Sequence, residues 1–161
     1  MLFKRILIAV NDSEPAGWAA DLGNSLAEQG ATHIMLLHVV NRTTAFVGDL
    51  DVPSAALLAE LRQDGQAILD RFAKHFRNTR LLEKTMREGK PADEIIAAAR
   101  DWNAHLIVLG TPGRGRLAHL LIGSTAEAVV RQAPCPVLTL RQKFVANGNG
   151  KSAKTGQSAH T

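Results

Sequence analysis

Apolar residues gather in short, nearly uninterrupted runs at 6–10 (Ile-Leu-Ile-Ala-Val), 34–40 (Ile-Met-Leu-Leu-His-Val-Val), 106–109 (Leu-Ile-Val-Leu) and 137–140 (Val-Leu-Thr-Leu). A strand with one wet face would alternate, so runs of this length without alternation predict strands covered on both faces of a parallel sheet. A fifth segment, 81–86 (Leu-Leu-Glu-Lys-Thr-Met), is more mixed and predicts an edge strand. Between these runs the apolar period changes to three and four. Ala16, Ala19, Ala20, Gly23, Leu26 and Ala27 predict one helix, closed by Gly30. Leu57, Leu61, Ile68, Phe72 and Phe76 predict a longer one after Pro53. Ile95, Ile96, Ala99 and Trp102 follow Pro91, with Asp93 and Glu94 in the first turn. The last helix starts at Ser124, where Ser124-Thr125-Ala126-Glu127 has the form of a capping box.

Strand and helix alternate through the chain and a strand ends it, which predicts an α/β fold: a three-layer, doubly wound sheet with right-handed crossovers. Ligands of such sheets sit beyond the carboxyl ends of the strands. The segments 11–14, 39–51 and 110–123 belong there, and the candidate chemistry lies in or beside them.

Composition narrows the class. With 161 residues and 45% hydrophobic content, the chain predicts one domain over 1–145. Residues 146–161 carry no large apolar anchor and read as a disordered tail. Five Phe, two Trp and no Tyr leave the core to Val, Ile, Leu and Ala. Of the net charge of +4, Lys151 and Lys154 supply two units, leaving +2 on the body. The basic stretch from Arg71 to Arg87 has Glu83 within it and no interleaved aromatics, so nucleic acid is not the expected partner. No apolar run approaches the ~20 residues of a membrane span. The single cysteine, Cys135, excludes an internal disulfide framework and reads as a small packing residue. No cleavage site follows the first apolar run, and the expected location is the cytoplasm. There is no zinc-ligand spacing and no Gly-x-Ser-x-Gly elbow. His38, near the end of its strand, reads as a hydrogen-bonded structural histidine.

The stretch Gly110-Thr-Pro-Gly113-Arg114-Gly115-Arg116, followed by 117–122 and Gly123-Ser124-Thr125, leaves a buried strand and ends at a helix N-terminus. Glycines allow close backbone approach, and free amides with the helix dipole behind them attract an anion. Ser124 and Thr125 add hydroxyls, and Arg114 and Arg116 add charge. Two readings stand side by side here, a phosphate cradle and a turn that leads into a helix capped by Ser124. Gly150-Lys151-Ser152 fails as a Walker A motif because Val145 holds the first glycine position. Gly113-x-Gly115-x-x-Ala118 has the form of a dinucleotide fingerprint, but it comes late, and no acidic residue lies in 128–138.

The spacing Gly110-x2-Gly113-x9-Gly123-Ser124 resembles the ATP-binding signature of the universal stress protein family. Supporting matches are 4–10 with Ser13-Glu14, 36–40, 88–95 and 133–138, so the resemblance covers about 3–142. It implies a five-stranded parallel sheet in the order 3-2-1-4-5, adenine nucleotide alpha hydrolase-like, and a homodimer paired through 137–140. It also implies a stress-response protein that binds ATP, or AMP or cyclic AMP. Adenine would lie against Ala9, Val10 and Val39. Asn11 would lie at the ribose. The phosphates would lie along Gly110, Gly113, Arg114, Gly123, Ser124 and Thr125. Two departures stand out. Asn11 holds the place of the usual Asp and Asp12 that of a Gly, so Asp12 is the candidate carboxylate for Mg, whose presence is left open. Ala126 stands where some members have a hydroxyl. No base is placed for hydrolysis, so the expectation is a binding protein rather than an enzyme. The alternatives are a slow ATP hydrolase or autophosphorylating protein, using Asp12 with Ser124 or Thr125, and a dimeric interaction module whose cleft stays empty.

Overall fold

The structure is a computed structural model that describes residues 3–28, 32–42, 54–76, 81–111 and 123–141. The elements are β1 (Arg5–Ala9), α1 (Glu14–Glu28), β2 (His33–Asn41), α2 (Ala55–Ala73), β3 (Leu82–Gly89), α3 (Pro91–Asp101), β4 (Leu106–Gly110), α4 (Ser124–Gln132) and β5 (Val137–Leu140). A short 3₁₀ turn, Lys74–Phe76, prolongs α2. The strands form one sheet in the order β3-β2-β1-β4-β5, every pairing parallel, as the resemblance implied. The tail expected at 146–161 lies outside the described residues.

The sheet is buried on both faces, which is why its central strands read as unbroken apolar runs. Ile6, Ile8, Ile34, Leu36 and Val108 point to one side, against Ala16, Ala19 and Ala20 of α1 and Phe72 of α2. Leu7, Met35, Leu37, Ile107 and Leu109 point to the other, against Ile95, Ile96 and Ala99 of α3 and Ala126 and Val129 of α4. The small residues of α1 bring it close to the sheet. At Gly23 an added Cβ would overlap Ile8 Cδ1.

Among the boundaries that differ from the hydrophobic pattern, three have a clear physical reason. β1 runs over 5–9 rather than 6–10, because Val10 leaves the strand after donating its N–H to Leu37 O at 2.9 Å. β3 continues past Met86 to Gly89; its pairing with β2 carries it through Arg87 and Glu88, polar residues that an edge strand tolerates. Ser124 is not a cap. The N-cap of α4 is Gly123, at φ 92° and ψ 136°, with no side-chain cap hydrogen bond, and Glu127 N–H closes the first turn on Gly123 O at 2.9 Å. Only glycine takes that backbone conformation without strain, so the turn into the helix is made there and the capping-box reading fails.

Candidate functional site

β1 and β4 end within one residue of each other while β2 runs on to Asn41, and the chain departs from β1 and β4 toward helices on opposite faces of the sheet. A cavity of about 430 Å³ opens there. That lies within the range of about 300–1,000 Å³ typical of small-molecule sites. Its floor is Ala9, Leu37, Val39 and Leu109 from the strands, with Pro91 and Ile95 of α3 behind. Asn11 and Asn41 supply polar edges, and Gly123, Ser124, Thr125 and Ala126 close one side.

The structure brings together Ala9, Val10, Asn11, Val39, Gly110, Gly123, Ser124 and Thr125 at this cavity. Gly113 and Arg114 lie outside the described residues, as do Gly115, Arg116 and most of 41–52. Asp12 does not line the cavity. Its exposed carboxylate accepts from Arg71 Nη2 at 2.7 Å, tying the loop after β1 to α2. Among the described residues no group of three or more His, Cys, Asp or Glu is placed to hold a metal ion. Asn11 Oδ1 accepts from Ser13 Oγ at 2.6 Å, which leaves its amide N–H groups as donors.

The α4 terminus suits an anion. Its first turn carries orphan backbone N–H groups at the positive end of the helix dipole. Since Gly123 makes the cap without a side chain, the Ser124 and Thr125 hydroxyls form no hydrogen bond among the described residues. Glu127, the acid of that turn, is bonded instead to Arg131 at 3.0 Å, one helical turn on.

Gly110 has a different reason to be glycine from the ligand approach expected of it. A Cβ there would overlap the backbone C and O of Pro15 and lie 2.6 Å from Ala16 N. The close approach it permits is that of β4 to the first turn of α1. Thr111, next in line and fully buried, donates both its N–H (2.8 Å) and its Oγ–H (3.1 Å) to Leu140 O. β5 is thereby fastened to the exit of β4.

Asn41 belongs to the segment 39–51 expected at this end of the sheet, whereas Leu37, Pro91, Ile95 and Leu109 were not anticipated at the site. Leu37 follows from strand periodicity, since it lies two residues before Val39 and faces the same side. Pro91 and Ile95 carry no such signal, because only the packing of α3 shows that its first turn lines the cavity. On the far side of the sheet end, Arg62 donates to both carboxylate oxygens of Glu88, at 2.6 and 3.1 Å. These bonds hold the Glu88 carboxyl below the usual carboxylate range. Cys135 packs partly buried against the α3/α4 side of the core, and that burial pushes its thiol up.

Comparison with known proteins adds an independent line. The model of the universal stress protein family matches residues 2–141. Universal stress protein MJ0531 of Methanocaldococcus jannaschii is 34% identical over 143 residues, covering 88% of this chain and 84% of its own length. Universal stress protein UspA from Lactobacillus plantarum superposes with a TM-score of 0.71 at 26% identity, over 88% of this chain and 99% of that one. A universal stress protein solved in complex with cAMP shares the fold, with a TM-score of 0.67 at 19% identity, over 88% of this chain and 99% of its own.

Proposed function

The chain belongs to the universal stress protein family, and from that premise we propose that its cleft binds an adenine nucleotide and that the protein acts in stress response as a non-catalytic homodimer. One observation carries the reading: the cavity joins an apolar slot, floored by Ala9, Leu37 and Val39, to the amide-rich first turn of α4. A flat apolar base with a phosphate on one side needs those two surfaces side by side. A relative of this fold holds cAMP, which supports an adenine ligand for the family. In this chain the base lies on Ala9, Val10 and Val39, and Asn11 donates to a ribose hydroxyl. The phosphate nearest the sugar meets Gly123, Ser124 and Thr125. ATP, AMP and cyclic AMP share that portion, and the further phosphates of ATP would continue toward Gly113 and Arg114.

Mg fits this cleft poorly. No carboxylate lines it among the described residues, and Asp12 faces Arg71. Among the described residues the lining carries no acid–base side chain, and binding without hydrolysis is the proposed activity. No helix among the described residues is long and apolar enough to cross a membrane, and the cytoplasm is the proposed location. For the dimer, β5 is the last strand in the sheet order, with the large apolar side chain of Leu138 exposed on it and Val130 exposed on α4. An apolar edge strand left bare invites pairing with a second copy.

Calorimetric titration with ATP, AMP and cyclic AMP, with and without Mg, tests the site. The double variant Ser124→Ala/Thr125→Val keeps the side-chain volumes nearly unchanged and is expected to bind at least about tenfold more weakly, the loss of hydrogen bonds to a charged group. Absence of binding to folded wild-type protein at millimolar nucleotide would refute the nucleotide reading. Light scattering of wild type and Leu138→Glu tests the dimer separately.

A further inference from the structure

The hydrogen-bond ladder between β1 and β2 stops one rung early, and His38 occupies the place of the missing rung. In a parallel ladder, alternate residues of a strand turn both N–H and C=O toward the same neighbour. Here Arg5 pairs with His33 and Ala9 with Leu37. His33 N–H donates to Lys4 O at 2.8 Å, and Val10 N–H donates to Leu37 O at 2.9 Å. Continued by two residues on each strand, the next bond would run from Val39 N–H to Val10 O. That bond is not formed. Val10 O accepts instead from the His38 ring, with Nδ1 2.9 Å away. A carbonyl can only accept, so Nδ1 carries the proton.

The ring is held firmly in this position. It lies on the α2 face of the sheet, opposite the cavity, and Gly65 of α2 makes room for it. A Cβ at Gly65 would come within 2.7 Å of His38 Cδ2 and 3.4 Å of Met86 Cε. Val39, by contrast, lines the cavity. Its N–H and C=O both point toward β1, which has ended, so they meet the cavity as a donor beside an acceptor.

We propose that His38 is a positioning residue for base recognition: by holding Val10 O it keeps Val39 N–H unpaired at the cavity wall. There Val39 N–H donates to a ring nitrogen of adenine and Val39 C=O accepts from the adjoining exocyclic amine. Guanine presents the reverse pattern along that edge, an acceptor oxygen beside a ring N–H, and meets donor with donor. Sites built on hydrogen bonds discriminate because a mismatched ligand leaves buried polar groups unpaired. The ligand half of this proposal rests on the adenine-nucleotide reading above; the ladder half does not.

Amide hydrogen exchange by NMR on the nucleotide-free protein tests the ladder half. In wild type, Val39 N–H is expected to exchange at least about tenfold faster than Leu37 N–H, which sits one rung inside the ladder. In His38→Phe the freed Val10 O takes the rung, and Val39 protection rises by about tenfold or more. In His38→Asn, whose amide reaches the Nδ1 position, fast exchange returns. If His38→Phe does not fold, His38→Gln, whose amide extends past that position, replaces it. Titration of the same proteins with AMP and GMP tests the ligand half. His38→Phe loses about tenfold in AMP affinity together with part of its preference over GMP, and His38→Asn retains both. Equal protection of Val39 and Leu37 in wild type, or unchanged Val39 exchange in His38→Phe, would overturn the role of His38. Altered exchange with unchanged nucleotide preference would overturn its part in recognition. Wild type that binds neither nucleotide would remove the adenine reading itself, while the exchange data still decide what His38 does to the ladder.

Discussion

Gly110→Ala separates two reasons for the first glycine of the signature. If the residue is glycine so that a ligand can approach, alanine leaves stability intact and removes binding. The structure gives the other reason, since the new methyl would fall on the backbone of Pro15 and Ala16. Backbone cannot rotate aside, so the first turn of α1 must move off β4. Ala16, Ala19 and Ala20 are at most 2% exposed in that contact, and any shift opens gaps around them. Overpacking costs about 1–3 kcal/mol, and a clash with backbone belongs at the upper end. Against it stands the reduced freedom of the unfolded chain, which favours Ala by about 0.4–1 kcal/mol where φ is negative. The net expectation is about 2 kcal/mol of destabilisation. At about 2–4 °C per kcal/mol for a chain of this size, Tm falls by about 4–8 °C. Calorimetric melting, with urea unfolding to show an unchanged slope, is the assay. A Tm within about 1 °C of wild type, accompanied by loss of nucleotide binding, would refute the packing argument and return Gly110 to the ligand.

Three further outcomes are expected. Gly123→Ala forces a side chain into φ 92° at the α4 cap and destabilises by about 1–3 kcal/mol; a Tm equal to that of wild type would mean the turn has another conformation. Glu88 is held low by Arg62, first through the hydrogen bond and then through charge. A depressed carboxyl contributes stability that is present above its unfolded pKa, about 4.3, and is lost as pH falls through the folded value. The stability gap between wild type and Arg62→Ala is therefore open at neutral pH and closes in acid. Denaturant midpoints measured from pH 7 to pH 2 check this, and a gap independent of pH would sink it. Burial raises the Cys135 thiol, so at pH 8 it reacts with a disulfide reagent more slowly in the folded protein than in urea, and equal rates would contradict the packing described.

Much of the scaffold was legible in the residue pattern. Buried central strands need no polar face, so 34–40 and 106–109 announced a parallel sheet without any knowledge of its neighbours. The strand order came from the resemblance rather than from periodicity, and the pairings agree with it. At the site, the residues that follow strand ends and the glycine-led helix start could be named, because a doubly wound sheet presents its loops at one end.

Contacts between elements distant in sequence were decided by the tertiary structure. Asp12 reads as a free carboxylate beside the cleft until α2 packs and Arg71, 59 residues away, takes it. Ser124 reads as a cap until the backbone shows Gly123 making the turn. Gly110 reads as a glycine made for a ligand, and only α1 packed against it reveals a second reason for the missing side chain. His38 was readable as a hydrogen-bonded histidine, but its acceptor, Val10 O, is defined only when β1 ends beside β2. The physical reason is common to all of them. Periodicity and turn chemistry act over a few residues and are written locally. Whether a polar group is satisfied, or a glycine has room, depends on atoms that only folding brings near.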